Sequence, residues 1–296
     1  MKSRIAIVAA CMLAACGGPE KSQGPAVVVY ASENDPAGLP ALFAEFTAAT
    51  GVPVSVVWGD AAANAQALID KSGTPADVLI TPDVVAIWHA AEEGALRPIA
   101  SGALDGVDRH LRDPDRLWAA LNLRFITVAI APESKKQTAG SYAALGAASY
   151  RGKLCVSSIE NSVNRALIAM LIEDLGLKPA ERLVRAWMMN LSSPPFETEA
   201  QLVEALESGA CQYGIVSASL LPEGMRKTGP VPLYADISAV GVGRHAAHPE
   251  QAQQLVDWLL RNHPPGALAE WNGRNFGVVG WRDEDVRLLA ERVGYR

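Results

Sequence analysis

Two hydrophobic periods alternate along the first third of the chain. A short apolar run at 27–30 gives way to Ala31, Ser32, Glu33, Asn34 and Asp35, and a helical period over 39–50 stops at Gly51. Residues 52–58 alternate as a strand, and 61–71 read as a helix closed by Ser72 and Gly73. A strand at 76–80 is followed by a helix over 82–93, with Gly94 as its stop. This strand–helix–strand order predicts a largely parallel sheet covered by helices.

The second half is less regular. Residues 125–131 are strongly β-like, and 153–156 form a short strand. Ser157 with Glu160 fits a capping box for a helix over 161–175, and Thr198 with Gln201 fits another for a helix ending near Gly209. An amphipathic helix is expected at 178–190, strands at 213–216 and 237–243, a helix at 249–261 and a surface helix at 283–293.

Composition narrows the class. The chain has 296 residues, 49% hydrophobic and 20% charged, which suits two ordinary folded domains. Its 26 basic residues against 32 acidic ones exclude a generally basic coat for phosphate backbones, so no nucleic-acid partner is expected. Lys2 and Arg4 precede an apolar stretch over 5–15, which reads as a secretory signal too short to span a bilayer. Leu13, Ala14, Ala15 and Cys16 resemble a bacterial lipobox, which makes 1–15 the signal and 16–26 a tether lipidated at Cys16. A plain cleavage site with an incidental cysteine is the alternative. Membrane contact is expected through the lipid anchor only.

Export places Cys155 and Cys211 in an oxidising space, which favours a disulfide over two buried thiols. His245 and His248 have the spacing of metal ligands, but Pro249 follows at once and no metal site is assigned. Trp88, Trp187 and Trp258 fall at helix-core spacing and read as packing. The chain carries no serine-hydrolase elbow, Gly-rich phosphate loop or CxxC pair, so neither an enzyme nor a cofactor is expected.

Several stretches together resemble the periplasmic ferric-ion-binding proteins of ABC importers. They are Tyr30-Ala31-Ser32 before a helix, SGTPADVLITPD, AIWHAAEEGALRPI, LRDPDRLWAALNLR, YRGKLCVSS, NLSSPPFE, LESGACQYGIV and ISAVGVGRHAAHPEQAQQLVDWL. The resemblance implies an α/β type II periplasmic binding protein, with two α/β lobes joined by crossing strands. The expected lobes are 27–122 plus 238–270 and 123–237 plus 271–296. It also implies a permease partner, and a monomer is expected.

Ser219 and Leu220 stand where the family carries its paired iron-binding tyrosines, and Asn34, between Glu33 and Asp35, stands where many members have a histidine. Phenolates are hard donors suited to a trivalent cation, and serine and leucine do not replace them. The expectation is therefore a small anionic or zwitterionic organic solute. Ferric iron with a synergistic anion is the alternative, and an enzyme or sensor partner on the same fold is a further one. The expected ligand residues are Tyr30, Glu33, Asn34, Asp83, Asn122, Arg124, Ser157, Ser158, Asn161, Ser217 and Ser219. Arg124 reads either as an anion clamp or as an interlobe salt bridge, and Ser157 and Ser158 lie at a strand–helix junction suited to an anion or to simple helix capping.

Overall fold

The computed structural model describes residues 24–32, 38–134, 140–230, 232–265 and 275–296. The expected signal, Cys16, Glu33 and Asn34 lie outside them. β1 (Val27–Ala31) leads to α1 (Leu39–Thr50), which ends where Gly51 takes a left-handed conformation at φ 75°. β2 (Val54–Trp58), α2 (Ala61–Asp70), β3 (Val78–Thr81) and α3 (Val84–Glu92) follow, all within two residues of the expected bounds. β1 pairs in parallel with both β2 and β3.

The two-residue β4 (Leu96–Arg97) precedes β5 (Trp118–Ile130). At 13 residues, β5 is about twice the expected strand. Its Trp-Ala-Ala-Leu start does not alternate, because Trp118 through Leu121 are all buried. β6 (Leu154–Cys155), α4 (Ser162–Leu175), α5 (Leu177–Asn190), α6 (Glu199–Glu207) and β7 (Tyr213–Ser217) come next. After β8 (Arg226–Thr228) and β9 (Ala235–Gly243), the chain closes with α7 (Pro249–Asn262), α8 (Gly277–Trp281) and α9 (Asp283–Val293). β4, β8 and α8 had no signal in the hydrophobic pattern.

The strands form one path in the order β2-β1-β3-β9-β5-β7-β6, with β4 on β9 and β8 on β5. β9 runs antiparallel to both β3 and β5, and all nine of its residues are buried. β5 changes partner along its length. Trp118 to Phe125 pair with β9, and Ile126 to Ile130 pair with β7. β5 and β9 thus carry the chain from one half of the sheet to the other. β9 can end against the loop before β3 only because Gly243 lacks a side chain. A Cβ there would lie 2.8 Å from the Ala76 carbonyl oxygen.

Helices cover both halves. On α5 the buried positions Ala180, Val184 and Trp187 recur at helical spacing. Full burial of a side chain such as Val184 contributes about 1.5–3 kcal/mol. Trp187 and Trp258 pack as expected, the latter edge-on to Phe46 with centroids 5.8 Å apart. Cys155 and Cys211 form a disulfide with Cα atoms 5.9 Å apart, tying β6 to the segment that enters β7. Among the described residues no helix is long and apolar enough to cross a membrane.

Candidate functional site

Five helix starts, those of α2, α3, α4, α6 and α9, meet at one cleft of about 1620 Å³, and the first three of these helices follow the strands β2, β3 and β6. Clefts outside strand carboxyl ends are where open α/β sheets bind ligands. Each helix start carries unpaired backbone N–H groups and the positive end of a helix dipole. Side chains answer some of them. Asp60 caps α2 by accepting from Ala63 N, and Asp83 caps α3 by accepting from Val85 N at 2.8 Å. Thr198 and Gln201 form the expected capping box on α6.

The expected capping box at Ser157 and Glu160 is not formed. Asn161 takes the N-cap position of α4 without a side-chain cap bond. Ser157 is fully buried instead, and its hydroxyl and carbonyl oxygens accept from Asn164 Nδ2 at 2.8 and 2.9 Å. The Tyr295 hydroxyl donates to the same carbonyl at 2.8 Å. The start of α4 is thus held from inside the core, and Ser157 does not line the cleft.

Arg124 is in the cleft, at the point where β5 crosses the sheet. It stands opposite Asp236 of β9 in register, and its Nη2 donates to the Asp236 carboxylate. The same nitrogen reaches Pro82 O and Ser162 Oγ, each at 2.9 Å. Ser162 Oγ donates to Asp236 at 2.7 Å. Burial pushes the Asp236 carboxyl up to about 6, and Asp83 adds to the rise while Arg124 opposes it. A second guanidinium, Arg165 of α4, reaches Asp83 at 3.1 Å and Asp283 at 3.9 Å. Arg282 binds Glu173 and Asp285, each at 3.0 Å. Glu199, buried at the start of α6, accepts from Ser217 N and Oγ, and burial raises its pKa.

Among the described lining residues, seven carboxylates (Asp60, Asp83, Glu160, Glu199, Asp283, Glu284 and Asp285) face four guanidinium groups (Arg124, Arg165, Arg282 and Arg287). The lining is therefore mixed in charge, with its carboxylates placed at positive helix ends. No tyrosine is among these lining residues. No group of three or more His, Cys, Asp or Glu side chains suited to a metal is present among the described residues. His248 is taken by Asp77, through its backbone N at 2.8 Å and its ring Nδ1 at 3.1 Å.

Of the expected ligand residues, Asp83, Arg124 and Asn161 line the cleft. Tyr30 is buried, and its hydroxyl donates to Thr74 O. Ser217 is buried against Glu199, and Ser158 Oγ accepts from Glu160 N at 3.2 Å. Asn122 sits at the register shift between β5 and β9 and is outside the lining. Ser219 is exposed in the short turn Ala218–Leu220, while its neighbour Leu220 enters the lining. Sequence reasoning missed Arg165, Ser162, Asp236, Trp281 and Arg282. Arg165 carries a local signal, a cation one turn into a helix that begins beside the cleft. Asp236 carries none, because it lies 112 residues from Arg124.

This fold and cleft define a type II periplasmic binding protein, in which a mixed sheet crosses between two halves beside a polar cavity. The chain belongs to the bacterial extracellular solute-binding protein family, whose model matches residues 27–263, and it is a solute-binding protein of the ABC importer type. It is 24% identical over 252 residues to iron uptake protein A1 of Synechocystis sp., covering 78% of this chain and 70% of that one. The structure of Trichodesmium IdiA (FutA) in complex with iron and citrate superposes with a TM-score of 0.78 at 23% identity, over 92% of this chain and all of the other. The periplasmic binding protein AfuA of Actinobacillus pleuropneumoniae, with fructose 6-phosphate bound, matches with a TM-score of 0.74 at 15% identity, over 91% of this chain and 98% of that one.

Proposed function

We propose that this chain is the receptor of an ABC importer that takes up ferric iron as a complex with an organic anion. The observation that carries the reading is the mixed charge of the lining. A bare trivalent cation would meet four guanidinium groups and no phenol. A bare polyanion would meet seven carboxylates. A metal complexed by an organic acid presents both signs at once. Hard carboxylate oxygens suit the metal, and guanidinium groups suit the acid. The relatives named for iron uptake, and the neighbour holding iron and citrate, support iron over the organic solute expected from the missing tyrosines.

Transport needs capture and release but no covalent chemistry. The lobes, 27–122 with 238–270 and 123–237 with 271–296, hinge about β5 and β9. A ligand touching both lobes shifts the population toward the closed form. Arg165 suits this role, because it pairs with Asp83 from the first lobe and Asp283 from the second. The lipobox ending in Cys16 supports attachment of the mature protein to a membrane facing the periplasm, beside its permease.

Calorimetry with ferric citrate, citrate alone and a ferric salt tests the reading. Saturable binding of ferric citrate is expected, with no uptake of citrate alone. Tight binding of an iron-free acid, with ferric citrate inert, would overturn it. A second reading, an iron-free zwitterion or sugar phosphate, is favoured by the lack of a three-donor metal group among the described residues and by the neighbour holding fructose 6-phosphate. It predicts that ferric salts leave the protein colourless and that fructose 6-phosphate raises its Tm.

A further inference from the structure

One wall of the cleft is aromatic. Trp88 of α3 and Trp281 at the end of α8 both line it, with ring centroids 6.4 Å apart and planes at 79°. Trp88 is half-buried, whereas Trp281 is 66% exposed. The pair is held by close packing. A Cβ on Gly280 would lie 2.4 Å from Trp88 Cγ and 2.6 Å from its Cβ, so only bare backbone lets α8 rest on that indole. Phe276, just before this short helix, and Val279 on it are buried and anchor it from beneath. Trp281 is thus presented at the cleft by a fixed support. Arg282 follows it directly, its guanidinium held by Glu173 and Asp285.

An indole left this exposed beside a polar cleft is a surface that a flat ring can cover in the offset-stacked or edge-to-face contact that aromatic rings prefer. The cleft volume of about 1620 Å³ also exceeds the ~300–1,000 Å³ usual for small ligands, which leaves room for an extended chelator. We propose that Trp88 and Trp281 form an aromatic subsite, and that the chelator entering with the metal carries a hydroxylated aromatic ring of the catechol or salicylate class. Its oxygens hold the iron, its remaining charge lies toward the cleft arginines, and its ring packs on Trp281. This inference rests on the ferric-complex reading above.

The test is calorimetry on the wild-type protein, Trp281→Ala and Trp281→Phe. The probes are ferric 2,3-dihydroxybenzoate, ferric citrate and 2,3-dihydroxybenzoate alone. The wild type is expected to bind the aromatic complex about tenfold more tightly than ferric citrate. Trp281→Ala should lose that preference, bringing the aromatic complex down to about the affinity of ferric citrate, and Trp281→Phe should keep most of it. Equal loss for both complexes, or no loss for either, overturns the subsite and leaves the ferric reading intact. Binding of neither ferric complex overturns both.

Discussion

The pairing of Arg124 with Asp236 sets much of the local electrostatics. Both groups sit where the two crossing strands meet, where Pro82 O and Ser162 Oγ also accept from the guanidinium and Ser162 Oγ donates to Asp236. Burial raises the Asp236 pKa to about 6 from an ordinary 3.8. The folded state therefore binds more protons than the unfolded chain between about pH 4 and pH 6, and this group's contribution to stability falls as pH rises through that window. The fall amounts to about 3 kcal/mol. Denaturant unfolding of wild type and Asp236→Asn at pH 4, 5 and 6 should show the extra slope only in the wild type. Parallel curves would refute the assignment.

Among the elements, two helices with the same cap signal behave differently. Thr198 and Gln201 form their box because both of these side chains are exposed and free to pair, and Thr198→Ala should cost about 1 kcal/mol of stability by urea unfolding. Ser157 with Glu160 reads alike in sequence. There the hydroxyl is buried and taken by Asn164, so the helix starts at Ser162 behind Asn161 without that help. Replacing Glu160 with Ala should accordingly leave stability within about 0.5 kcal/mol. The local sequence does not separate the two cases, because only packing shows which hydroxyl is free to cap. The same limit hid the first half of β5, where burial on both faces removes the alternation that marks a strand.

At the scale of the whole molecule, the disulfide and the hinge predict two measurements. The Cys155–Cys211 bond closes a loop of 56-residue separation, and replacing both with serine should cost about 4 kcal/mol in the chain-entropy model, read as a lower denaturant midpoint. Closure of the lobes on ferric citrate should reduce the radius of gyration in solution scattering. An unchanged radius at saturation would argue against hinged capture.

The chain by itself determined most of its alternating elements and their glycine stops, the pairing of its two late cysteines and its family, because these depend on neighbours a few residues apart or on segments matched in order. Tertiary structure alone decided that Tyr30, Ser157 and Ser217 turn inward, that Arg165 meets Asp83, and that Trp281 stands at the cleft beside Trp88. Those outcomes depend on which strand lies beside which and on which face of each helix the core claims, and neither is written in any local stretch of residues.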